Sequence, residues 1–217
     1  MATNCARSAS GRPDLTDLEI IEAELKARDR DRWLACLYAP ASARPGLIAL
    51  MALDCELAQL VVTTTEPMLG EIRLAWWRER LEGLDAGQVP AQPLLGALAA
   101  HVLPGVSGAA LAGLEDRWLD MLGHNGVTDA HVAGGGQLFR LAARLLGGDG
   151  DVADALGRAW VLGEAVAGRT PGPLRPLRAL AALAVRDAVR ARAGQPVEPR
   201  GSLGRQWRML KAVAFGR

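Results

Sequence analysis

Cysteine, lysine and β-branched runs are all scarce in this 217-residue chain, and each scarcity excludes something. The three cysteines, Cys5, Cys36 and Cys55, are odd in number and form no CxxC pair. Neither a disulfide framework nor a zinc site is therefore expected, and a reducing, cytoplasmic setting follows. VVTTT at 61–65 is the only β-branched cluster, too short and isolated to build a sheet. The polar stretch MATNCARSASGRPD lacks an apolar run of signal-peptide length, so export is not expected. Residues 1–13 read as a disordered N-terminus. From Ala86 to Leu114 there is no Asp, Glu, Lys or Arg. Pro90, Pro93, Pro104 and five glycines divide that run. A spanning helix needs roughly 20 continuous apolar residues, so it reads as buried helix plus loops.

What remains is helical throughout. The composition, 50% hydrophobic and 23% charged, is that of an ordinary soluble globular protein. Thr16-Asp17-Leu18-Glu19 is a capping box opening a helix that runs to about Tyr38, where Pro40 stops it. Ser42 to Pro45 opens the apolar helix LIALMALDCELAQLV, and Thr65 caps EPMLGEIRLAWWRERL. Further helices are expected near 107–123, 128–147, 151–167, 174–193 and 203–215, with Ser107 and Thr128 as N-caps and Gly123 and Gly147 as ends. The fold class is all-α: one helical domain over 14–168, with basic helices over 169–217 that pack on it or extend from it.

Charge is balanced overall, at +1, but not locally. Residues 1–168 carry 14 basic and 22 acidic side chains, whereas 169–217 carry 11 basic against only Asp187 and Glu198. Two readings stay open. The basic end meets an anionic partner, or it neutralises the acidic body. Of the 25 basic residues only Lys26 and Lys211 are lysine, and arginine is the residue suited to bidentate phosphate or carboxylate binding.

Asp54 and Glu56 are the only ionisable groups besides Cys55 between Leu47 and Val62. Asp54 shares a helical face with Leu47, Leu50 and Met51, and a buried carboxylate is costly unless paired. On the next helix Glu66, Gly70, Arg73 and Trp77 line one stripe, so an Asp54–Arg73 pair is the simplest expectation and a polar site between the helices the other. Trp76 and Trp77 point about 100° apart, one to the core and one to a groove or interface. His101, His124 and His131 lack metal-ligand spacing and read as surface or capping residues. Gly134-Gly135-Gly136 matches no phosphate loop and suits close helix packing.

Near the end of the chain, Leu177, Leu180, Leu183 and Ala184 occupy one arc of a helix, with Arg175, Arg178, Arg186 and Arg190 opposite. In the last helix Leu203, Trp207, Leu210 and Ala214 share a face, with Arg205, Arg208 and Lys211 elsewhere. Such helices suit an anionic membrane surface, with Arg175, Arg178, Arg186, Arg190 and Trp207 as its contacts. Equally, both apolar faces could pack on the core and leave the arginines solvated. Nucleic acid is not expected, since no basic–aromatic module is present.

The stretch Asp29 to Leu84 resembles the squalene/phytoene synthase family, and within it the branch that contains a mitochondrial complex I assembly factor. The P-x-x-x-R step (Pro40, Arg44), the apolar helix after it and EP-x-L-G-x-I-R-L-x-W-W-R carry the likeness, with GGGQLFRLAARLLG (134–147) and LGRAWVL (156–162) as weaker matches. The resemblance implies an isoprenoid-synthase-like helical bundle. The family's catalysts join two prenyl diphosphates head to head, using magnesium held by Asp-rich motifs on facing helices. Magnesium requires oxygen ligands, and the departing diphosphate requires charge neutralisation.

Here both motifs are missing. Aligned to the first, the three aspartate positions fall on Ala58, Gln59 and Val62; the second falls on Val166-Ala167-Gly168 and the following GRTPGPL, which contains no carboxylate. The resemblance therefore implies a non-catalytic pseudoenzyme with a binding or respiratory-complex assembly role, no metal and no cofactor. Arg44, Asp54, Glu56, Arg73, Trp77 and Arg78 would surround the ancestral cavity and face a protein partner or a prenyl or lipid ligand. Localisation would be cytoplasmic, with peripheral attachment to the inner face of the cytoplasmic membrane through the basic end. The alternative is an active prenyltransferase with relocated Mg2+ ligands at Asp54, Glu56 and Glu164. A third reading is a structural subunit whose cavity is filled by side chains.

Overall fold

A computed structural model describes residues 15–124 and 126–217. The expected tail at 1–13, with Cys5, lies outside the described residues. Among those described there is helix and no strand.

The capping box forms as its sequence requires. Thr16 Oγ1 accepts from the Glu19 amide at 3.3 Å, and Glu19 accepts from the Thr16 amide at 2.8 Å. The helix it opens ends early, however. α1 spans Asp17–Arg28 and α2 Arg30–Leu37, broken at Asp29. The Asp29 carboxylate accepts from the amides of Asp31 and Arg32, restarting the chain in a new direction. Arg44, at the start of α3 (Arg44–Thr63), closes the other end of α2 by donating to the carbonyls of Leu37 and Ala39, both at 3.2 Å.

α3 is apolar on every side. It has a mean hydropathy of 1.7 and is long enough to cross a membrane. Twelve of its residues, Leu47 through Cys55 among them, are buried by the helices around it, which makes it the central helix of the core. α4 (Pro67–Leu84) buries Gly70, Leu74, Trp77, Leu81 and Leu84. The charge-free run splits into α5 (Pro93–His101) and α6 (Gly108–Ala112), each too short to span a membrane. Ser107 caps α6, and a short α7 (Asp116–Leu119) follows in place of one continuous helix.

α8 (Asp129–Leu146) and α9 (Gly150–Leu162) touch backbone to backbone. A Cβ placed on Gly157 would lie 2.2 Å from the Gly135 carbonyl oxygen, and one on Gly135 would lie 2.4 Å from Val161. The glycine run thus packs helices closely, as its sequence suggests. After a 3-10 turn, α10 (Arg175–Arg192) lays Leu177, Leu180 and Leu183 on the core.

α11 (Leu203–Phe215) is the surprise. Its buried residues are Arg205, Met209 and Ala212, while Leu203, Trp207, Leu210 and Phe215 face outward at 83%, 58%, 45% and 63% exposure. Electrostatics turns the helix over. Arg205 donates to Asp31 Oδ2 at 2.8 Å and to both oxygens of Asp187, and those buried bonds outweigh the stripe's preference for the core.

Candidate functional site

Asp54 is fully buried, as its spacing demands, but Arg73 is not its partner. Three other residues hold it. Arg32, on α2, reaches Oδ2 at 2.7 Å; Arg117, on α7, reaches Oδ1 at 3.3 Å; the Trp118 indole N–H donates to Oδ1 at 3.0 Å. Arg73 is exposed, with Thr64 at 3.5 Å as its hydrogen-bond acceptor. Two elements lying 22 and 63 residues away in sequence thus supply the charges.

Aromatic rings and a histidine complete the cluster. The Arg32 guanidinium lies 5.0 Å from the Trp160 ring centre, and Arg117 lies 4.8 and 5.5 Å from Trp118 and Trp160. Phe139 stacks on Trp160, with ring centres 5.2 Å apart. His131, expected at the surface or as a cap, is instead 9% exposed, with its ring inside the cluster. One nitrogen faces Arg117 Nη2 at 3.0 Å and the other the Arg117 carbonyl at 3.2 Å. Arg117 can only donate, so Nε2 accepts and a neutral ring carries its proton on Nδ1.

These contacts set the proton affinities. Burial acts to raise the Asp54 carboxyl, but the charges of Arg117 and Arg32 and the hydrogen bonds from Trp118 and Arg32 hold it below the ordinary carboxylate range. Burial and the Arg117 charge push His131 down, toward the neutral form. Burial raises the Cys55 thiol to about 11, so it stays protonated and inert.

The remaining sequence candidates do not converge on Asp54. Glu56 leaves the same helix outward and pairs with Arg28. Arg78 pairs instead with buried Glu115 and exposed Asp116 at the start of α7. Trp77 is core, whereas Trp76 is 41% exposed, in the division their spacing indicates. Gln59 and Val62, at two of the family's aspartate positions, are exposed at the far end of α3. Glu164 stands exposed just beyond α9. Among the described residues no three His, Cys, Asp or Glu side chains are arranged to hold a metal ion. The interior donor set does not fit magnesium either. One carboxylate lies between two guanidinium groups, and both its oxygens are already engaged.

On the surface, the basic residues divide into two sets. Arg186 binds both Glu198 oxygens at 2.7 Å, Arg190 donates to the Pro196 carbonyl, and Arg200 reaches Asp29 at 2.6 Å. Arg200 and Arg205 thus neutralise carboxylates of the acidic body, Asp29 and Asp31, whereas Arg186 and Arg190 are satisfied within the basic end itself. Arg175 donates to the Ala214 carbonyl at 3.5 Å, leaving its charge uncompensated. Arg178 makes no ion pair within 4 Å among the described residues. A second exposed apolar stripe runs along α4 through Met68, Leu69, Ile72 and Trp76, on the side opposite its buried residues. The sequence left the direction of the α11 stripe open between a membrane surface and the core, and placed only one tryptophan of α4 outward; the partners of Arg205 and the wrapping of α4 decide both.

Comparison with known proteins agrees with the bundle's sequence likeness. Residues 25–103 match the family model described as squalene/phytoene synthase. Three mammalian relatives share the name NADH dehydrogenase (ubiquinone) complex I, assembly factor 6. The human protein is 33% identical over 70 residues, 32% of this chain and 21% of its own. The cattle protein is 31% identical over 94 residues, 43% and 27% of the two chains, and the rat protein 34% over 89, 41% and 26%. The matches thus span about a quarter of those relatives' length. No solved structure matches.

Proposed function

We infer, from the match of residues 25–103 to the squalene/phytoene synthase model, that the chain is a non-catalytic member of that family acting in the assembly of a respiratory complex, as the name of its mammalian relatives states for them. One observation supports it above the rest: Asp54, the only buried carboxylate of α3, is consumed by Arg32, Arg117 and Trp118. Prenyl diphosphate ionisation needs metal-bound carboxylates facing a cavity. This interior offers a closed ion cluster ringed by indoles. No cofactor is part of the reading.

The partner is a protein, and the α4 stripe is where it docks. Met68, Leu69, Ile72 and Trp76 expose more apolar surface than a solvated helix needs, and exposed Glu71 lies next to Ile72 on the same helix. In this reading the chain works at the cytoplasmic side of the membrane, attached peripherally through its basic end.

Two measurements test the proposal. Purified protein incubated with Mg2+ and farnesyl or geranylgeranyl diphosphate should release no diphosphate; turnover would restore the synthase reading. Deleting the gene should lower the amount of assembled complex I on native gels, and unchanged complex I would reject the assembly role. Within that experiment, Ile72→Asp should behave as the deletion does while the protein stays folded.

A further inference from the structure

The unpaired cations converge. Arg169, Arg208, Lys211, Phe215 and Arg217 line an open cleft of about 650 Å3, and a neighbouring hollow shares Arg169 and Arg217 and adds Arg178. No acidic side chain lines either one, and none of these five cations has an ion-pair partner within 4 Å among the described residues. The Nε atoms of Arg178 and Arg208 are out of contact with solvent and lack any acceptor.

The cleft is held in place by backbone. The Thr170 amide donates to the Gly216 carbonyl at 2.8 Å, and Gly216 closes α11 in the left-handed region at φ 67°. Arg175 donates to the Ala214 carbonyl. Together these bonds pin the end of α11 to the start of α10. Arg175 and Arg178 therefore stand at the positive end of an 18-residue helix whose first turn has no acidic residue, opposite Arg208. A helix N-terminus favours anions and disfavours cations, so this arrangement repels itself unless an anion enters. The outward stripe of α11 adjoins it: Phe215 is in the cleft wall, and Lys211 Nζ lies 5.1 Å from the Trp207 ring centre.

We propose that this cleft binds the phosphate of an anionic phospholipid, with Phe215, Trp207, Leu210 and Leu203 entering the headgroup–acyl boundary. A bilayer is the occupant that satisfies both halves at once, since it presents phosphate esters in the same plane as hydrocarbon. The proposal rests on the membrane-attachment part of the reading above and is independent of the assembly role.

The test uses the purified chain and vesicle flotation. Vesicles of phosphatidylcholine with 30 mol% phosphatidylglycerol should retain the protein, and pure phosphatidylcholine should retain far less. Arg208→Gln with Lys211→Gln should weaken retention on the order of 10-fold or more. Arg144→Gln with Arg192→Gln removes the same charge from exposed sites elsewhere on the molecule and should leave retention close to that of the native protein. If both pairs weaken it equally, the attraction is diffuse charge and the cleft assignment fails while membrane attachment stands. Retention unaffected by lipid charge overturns both. Saturable binding of free glycerol phosphate without vesicle retention shows a soluble ligand and overturns the lipid assignment.

Discussion

Two groups of arginines in this protein show opposite solutions to the same problem. Around Asp54, Arg32 and Arg117 are buried, and their charges are met by a carboxylate, by Asp29 at 3.3 Å and by indole faces. Between α10 and α11, Arg169, Arg178, Arg208 and Arg217 stand around a cleft with no acidic side chain lining it. A charge taken out of water must be met inside the molecule, while a charge left at the edge can wait for something outside. The first group engages both oxygens of the one interior carboxylate it surrounds. The second leaves the basic surplus of the chain's end available. The same residue type thus serves integrity in one place and recognition in the other.

The comparison breaks most sharply at Asp54. Asp54→Asn keeps the shape but leaves buried Arg117 without a counter-charge and Arg32 with Asp29 alone, and breaking a buried pair costs about 3–5 kcal/mol. Urea denaturation should show a midpoint lowered accordingly, or no cooperative transition. Replacing the whole set, Asp54→Leu with Arg32→Met and Arg117→Met, should recover much of that loss, because apolar residues of similar volume often substitute for buried ions without penalty. A triple variant as unstable as Asp54→Asn would show that the cluster is needed for more than internal charge balance.

A smaller effect comes from pH. His131 is held below its ordinary value, so the unfolded chain binds a proton that the folded one refuses. Stability should therefore fall as pH drops below about 6.5, and continue to fall until the folded histidine itself titrates. Asp54 is depressed in the folded state, and its contribution stays intact until pH drops below about 3.9. Thermal midpoints between pH 7 and 5 thus report His131 rather than Asp54. His131→Gln, which can still donate and accept, should flatten that slope.

Much of the fold was legible in the residues themselves. Periodicity and caps located α8 and α11 to within a residue or two, and the spacing of Asp54 with Leu47, Leu50 and Met51 showed that a carboxylate had to be buried. Its partners were not legible. Helical spacing states which residues share a face, but not which helix lies across from it, and Arg117 arrives on a four-residue helix that follows an unexpected break. Asp29 hid the first break in the same way, as a polar residue inside an apparently continuous helix. The wheel of α11 was legible and its orientation stayed open between membrane and core, because the choice rests on Arg205 finding Asp31 174 residues earlier in the chain. Local pattern decides what a face is; long-range charge pairing decides where it points.

The smallest expected change in stability is at the cleft, and there the sign matters more than the size. Arg208→Gln removes a charge that has no partner and that stands against Arg178, whose own proton affinity burial and Arg208 together depress. Substitutions at such surface positions usually move stability by no more than about 0.5 kcal/mol. With repulsion as the only interaction lost, the thermal midpoint of the free protein should stay level or rise slightly at low salt, and the gain should vanish at 1 M salt, where screening reaches about 3 Å. Anionic vesicles should reverse the order, stabilising the native protein more than the variant, since only the native cleft gains by binding. A midpoint that falls on Arg208→Gln without lipid would mean that this arginine is already partnered within the fold, and the contrast between the closed and the open cluster would disappear.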